Sequence, residues 1–84
     1  MTTRALVLYA KPGCHLCDDL RALVEDLLPE LGATLHEVDI TTDPALHARY
    51  RHDIPVLVAD GIEIARGRVG EGALVAALRG WRAR

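Results

Sequence analysis

The chain has 84 residues, 50% of them hydrophobic, a formal net charge of −2 and three aromatic side chains. That length and apolar content suit one compact domain over residues 1–84 and leave no room for a second. The acidic balance and the scarcity of rings exclude an electrostatic nucleic-acid binder with stacking platforms.

The first predicted element is ALVLYA, residues 5–10, a short unbroken apolar run closed by Lys11-Pro12-Gly13, as expected of a strand buried on both faces. From Cys14 the pattern turns helical. Leu16, Leu20, Leu23, Val24, Leu27 and Leu28 recur at three and four residues, and Pro29 and Gly32 punctuate the end. Residues 34–40 place Val38 and Ile40 on either side of Asp39, which predicts a half-exposed edge strand.

Asp43-Pro44 predicts a helix start, because the Asp side chain caps free N–H groups and Pro fits the first helical position. That short helix, to about Arg51, would bury Leu46 and Tyr50, four apart on one face. After Ile54-Pro55, the runs VLVA and IEIAR flank Asp60-Gly61, the strongest short hairpin signal. Leu74, Val75, Leu78 and Trp81 mark one face of a last helix beginning near Gly70-Glu71. The order is β-α-β-α-β-β-α, which assembles most simply as an α/β fold with a four-stranded mixed sheet flanked by three helices.

Only two cysteines are present, too few for the disulfide framework of a small secreted domain. The opening MTTRALVLYAK lacks the long apolar region and cleavage site of a signal peptide, and no stretch approaches the roughly 20 apolar residues of a membrane span. We therefore expect a soluble, cytoplasmic, monomeric protein in reducing surroundings, acting on no membrane and no nucleic acid. There a C-x-x-C pair is catalytic or metal-binding rather than a staple. As a staple it would close a four-residue loop contributing only about 2 kcal/mol.

In KPGCHLCD the pair falls where the first strand meets the first helix, at free N–H groups and the positive end of the helix dipole. Cysteines so placed have pKa values lowered from about 8.5 to roughly 3.5–7.5. Cys14, near the N-cap, is the expected nucleophile, and Cys17, one turn on, the resolving thiol. Lys11 and protonated His15 would favour the thiolate, whereas Asp18 and Asp19 would oppose it. A zinc site completed by His47 and His52 is awkward, because twenty-nine residues and a whole predicted strand separate Cys17 from His47. No metal ligand is assigned. Arg79, Arg82 and Arg84 read as a solvated basic end.

LYAKPGCHLCDD, EVDI and IPVLVADG together resemble the glutaredoxin-like proteins of the thioredoxin superfamily, in particular a short uncharacterised bacterial branch, over nearly the whole chain. The resemblance implies a thioredoxin-like fold and a cis Pro55 facing the cysteines, with Ile54 offering its backbone to an extended substrate. At the start of the last helix, Gly70 would let a ligand approach and Glu71 would meet an ammonium group, with an ordinary helix start as the alternative reading. The departures are specific: no Trp-Cys-Gly-Pro-Cys or acid in the first strand, no Cys-Pro-Tyr-Cys, and Val69-Gly70-Glu71-Gly72 in place of Gly-Gly with acids. They weaken the case for a specific glutathione site.

The expected function is thiol-disulfide exchange on protein or low-molecular-weight disulfides, with no bound cofactor and with glutathione or a thioredoxin-reductase-type enzyme as reductant. Two other classes remain open. One is a metal or iron–sulfur protein using Cys14 and Cys17 across a dimer; the other is a partner-binding module with this fold and little turnover.

Overall fold

In the computed structural model, which describes residues 4–84, RALVLYA forms strand β1 (Arg4–Ala10). The targeting-segment reading begins on residues 1–3, outside the described residues. Helix α1 (His15–Leu31) carries the chain back to β2 (Ala33–Asp39), which pairs parallel with β1. A single 3-10 turn (Ile40–Thr42) leads to α2 (Pro44–Tyr50), then β3 (Val56–Ala59), β4 (Ile62–Arg66) and α3 (Glu71–Arg82). The sheet order is β2-β1-β3-β4, with β3 antiparallel to both neighbours. This is the expected thioredoxin-like arrangement, with β2 at an edge.

One face of the sheet is closed by α1 and α3. Leu6, Leu8 and Ala10 of β1 meet Cys17, Leu20 and Val24 of α1 and Leu74, Leu78 and Trp81 of α3 in one buried cluster. The opposite face is not closed to the same extent, which corrects the expectation that β1 is buried on both sides. Ala5 is exposed and Val7 and Tyr9 are half-buried. The reason is length: α2 has seven residues and covers one end only, where Tyr50, Ile40 and Val56 form a second cluster with Tyr9 and Leu46 against it.

Local chemistry explains the joints. Asp43 caps α2, its Oδ1 accepting from the N–H groups of Ala45 (2.9 Å) and Leu46 (3.4 Å). Asp60 and Gly61 both have positive φ, 53° and 75°, the geometry a two-residue hairpin between β3 and β4 needs.

Two boundaries differ from expectation. Helix α1 runs through Pro29 to Leu31, because Leu31 is buried and Gly32, in the left-handed region, closes the last turn by donating to the Leu28 carbonyl. Pro29 and Glu25, whose carbonyl loses its helical donor, are both exposed, so water can replace the missing bond. Strand β2 stops at Asp39, whose side chain accepts from the Thr41 N–H and turns the chain so that Ile40 is fully buried under α2.

The far end of the sheet carries a knot that sequence patterning does not show. Asp60 Oδ2 accepts from Arg4 (2.9 Å) and from the indole Nε1 of buried Trp81 (3.0 Å). The Arg4 guanidinium lies 3.9 Å from the Trp81 ring centroid and donates to the Trp81 carbonyl. Arg79 grips both carboxylate oxygens of Glu30, and Arg82 donates to the Glu30 carbonyl at the end of α1. Those two arginines are therefore tied to the fold, which corrects the solvated-end reading for both.

Candidate functional site

The turn after β1 sets up the cysteine pair. Gly13 at φ +79° occupies the left-handed region, where a side chain would be strained, and delivers Cys14 in an extended conformation as the N-cap of α1. The Cys17 N–H donates to Cys14 Sγ at 3.2 Å, and the Cys14 carbonyl accepts from the Asp18 N–H at 3.1 Å. Cys14 thus sits at the positive end of a 17-residue helix dipole with one free N–H already aimed at its sulfur.

The two sulfurs form a disulfide, with Cα atoms 5.2 Å apart. Their exposures differ: Cys17 is fully buried among Leu20, Val24 and the sheet, whereas Cys14 is half-exposed.

Lys11 and His15 are exposed on either side of Cys14. Asp18 is not free to act as an isolated negative charge beside the pair. Arg21 donates to it at 2.9 Å and to both carboxylate oxygens of Glu37 on β2. Hydrogen bonds to Glu37 first, and to Asp18 second, raise the Arg21 pKa above its ordinary value.

The Ile54–Pro55 peptide bond is cis, and Pro55 is fully buried. Ile54 packs against both core clusters and so spans the two sides of the sheet. Its N–H, with that of Asp53, is committed to the Tyr50 carbonyl (3.1 and 2.8 Å). Arg66 of β4 pairs with Asp53 at 3.0 Å, and the Gly67 N–H donates to the Pro55 carbonyl at 2.7 Å. The loop is therefore braced from the end of β4.

Gly70 caps α3 without a side-chain hydrogen bond, and both it and Glu71 are exposed. Glu71 lines a groove between α1 and α3 with Leu23, Asp26, Leu27 and Val75. The groove beside the cysteines is a different one, a cleft of about 100 Å³ formed by Leu16, Asp19, Leu20, Leu23 and residues 67–69. Among the described residues no group of three His, Cys, Asp or Glu side chains converges as a metal site. No helix among them is long and apolar enough to cross a membrane.

A family described as glutaredoxin-like domain (DUF836) matches residues 5–79. The chain belongs to that glutaredoxin-like family. Among solved structures it is similar to protein Ne2328 from Nitrosomonas europaea, with a TM-score of 0.75 and 27% identity over 90% of this chain and 92% of that one. A structural-genomics target protein from X. campestris gives a TM-score of 0.72 and 33% identity, covering 89% of this chain and 96% of the other. Thioredoxin 1 from Thermosipho africanus, at 11% identity and a TM-score of 0.67 over 92% of each chain, shares the fold. No curated protein matches. A thioredoxin-like fold bearing a cysteine pair at disulfide distance is a redox-type arrangement, and that much of the glutaredoxin-like reading stands on the fold and the pair together.

Proposed function

We propose that the chain is a thiol-disulfide oxidoreductase in which Cys14 attacks and Cys17 resolves. The observation that carries this reading is the asymmetry of the pair. Cys14 is the accessible sulfur, at a helix N-terminus and accepting a backbone N–H, so its thiolate is the stabilised one. Cys17 is shielded and within bonding reach, so it meets only a partner already attached to Cys14.

In the reducing direction the Cys14 thiolate displaces one sulfur of a substrate disulfide, which leaves as a thiolate and takes a proton. A mixed disulfide remains on Cys14. Cys17, losing its proton, attacks Cys14 Sγ and expels the second substrate thiolate, leaving the Cys14–Cys17 disulfide. Two electrons have passed to the substrate; glutathione or a thioredoxin-reductase-type enzyme returns them. Substrates are protein or low-molecular-weight disulfides.

The braced Ile54–Pro55 loop is the docking edge. With its N–H held by Tyr50, Ile54 has its carbonyl left to pair with an extended substrate. Lys11 and His15 add positive charge at the mouth when protonated, and the Arg21 pair offsets Asp18. Gly70 and Glu71 lie at the start of α3, where Glu71 would meet an ammonium group of a bound ligand.

The test is a trap. A Cys17→Ser variant incubated with oxidised glutathione and with cell extract should accumulate mixed disulfides on Cys14 detectable by mass spectrometry, and the adducts name the substrates. An unmodified Cys14 after both incubations would overturn the reading.

A further inference from the structure

A third cleft lies away from the cysteine pair, on the sheet face that α2 leaves partly open. It measures about 300 Å³ and is lined by Tyr9, Arg49, Tyr50, Val58, Gly61, Glu63 and Arg66. That volume is in the range of small-molecule sites, and the clefts bordering α1 are smaller, at about 100 and 130 Å³.

Its walls are mixed in character. Tyr9 and Tyr50 stack with centroids 4.6 Å apart, and Tyr50 is buried. Val58 continues that apolar surface along β3, and the space around the Gly61 Cα is open. The charges on the rim are unequal. Arg66 is shared between Glu63, which lines the cleft, and Asp53, which does not, so its charge is already committed to two carboxylates. The Arg49 guanidinium lies 5.1 Å from the Tyr50 ring centroid and, among the described residues, has no carboxylate partner. An unpaired planar cation held over an aromatic stack, beside an apolar floor, selects a flat body with negative charge at one end.

We propose that this cleft is a second ligand site, for a small planar organic anion: a ring carrying a carboxylate or a phosphate, with the anion on Arg49 and the ring over Val58 and Gly61. Arg66 links it to the loop described above, because the guanidinium that lines the cleft also braces Asp53. That link rests on the redox reading; the binding itself does not.

The full oxidised chain, labelled with 15N, is titrated separately with 4-hydroxybenzoate, with adenosine 5′-monophosphate and with inorganic phosphate, following amide shifts. Saturable shifts at Tyr50, Val58, Gly61 and Glu63 are expected with at least one ring probe, at a Kd on the order of 1 mM. Which ring probe binds separates the carboxylate from the phosphate source. Arg49, exposed on α2, is replaced by Gln; spectral dispersion confirms folding, and binding should weaken about three- to tenfold. No saturable shift with either ring probe up to about 10 mM, equal binding of inorganic phosphate, or unchanged affinity in Arg49→Gln would overturn the proposal. Because the readout is binding to the disulfide form, a negative result leaves the exchange chemistry standing, and a failed Cys14 trap leaves this site standing.

Discussion

The two ends of β1, about 20 Å apart along the strand, are built differently. At the start, Arg4 is held by the Asp60 carboxylate, the Trp81 ring and the Trp81 carbonyl, and the neighbouring helix ends are clamped by Arg79 and Arg82 on Glu30. At the other end, past Ala10, the turn to Cys14 is shaped by backbone geometry: a left-handed Gly13, one N–H on a sulfur, and a loop braced at a distance by Arg66. The contrast lies in what the side chains hold. At the start of β1 side-chain bonds hold the strand itself, whereas at the cysteine end the Arg21 and Arg66 pairs hold the flanking elements and Cys14 Sγ accepts only a backbone N–H.

Removing the reacting atom gives the largest functional effect. Cys14→Ser should abolish disulfide exchange, a fall of at least about 1,000-fold in turnover, while its circular dichroism spectrum stays native. Breaking the far end does the reverse. Trp81 is fully buried, so Trp81→Ala should lower stability by about 3–5 kcal/mol in urea titration, with the alkylation rate of Cys14 in the folded fraction unchanged. A Trp81→Ala variant whose Cys14 reactivity shifted with stability would show that the ends are not separable.

Smaller effects test the bracing of the loop. Arg66→Ala, which frees Asp53, should raise KM for a peptide disulfide about three- to tenfold with kcat nearly unchanged, a split that a global loss of stability would not produce. Smallest is an acid effect. Asp60 is held below its ordinary pKa by hydrogen bonds from Arg4 first and Trp81 second, and Glu30 by Arg79. A depressed folded-state pKa contributes stability that is present above the unfolded value, near 4, and lost as pH falls through the folded one. Melting temperature should therefore fall on acidification below about pH 4, and less steeply in Asp60→Asn.

Much of this architecture was legible in the residues. Asp43-Pro44 and Asp60-Gly61 act within a few bonds, so their cap and turn follow from local chemistry, and the Cys14 N-cap follows from the same logic. Features that depend on what lies across space were not. The partial exposure of β1 depends on α2 being only seven residues long, and Ile40 leaves the strand pattern because Asp39 turns the chain beneath that helix. Pro29 reads as a stop until the pull of buried Leu31 is known. Asp60, a turn residue by sequence, is also the acceptor for Arg4 and Trp81, 56 and 21 positions away. At the site, the cysteines were evident. The Arg66–Asp53 and Arg21–Glu37 contacts needed the folded chain, because partners on separate segments leave no spacing to read, whereas Arg21 and Asp18 are an i,i+3 pair within α1.

In the proposed reaction Cys14 is the activated sulfur and Cys17 the shielded one. Alkylation of the reduced chain by iodoacetamide, quantified at each cysteine by mass spectrometry across pH 4–10, tests it directly. The Cys14 rate should titrate with a midpoint in about the 3.5–7.5 range, with Cys17 modified far more slowly at every pH. A Cys14 midpoint at or above about 8.5, or faster modification of Cys17, would contradict it.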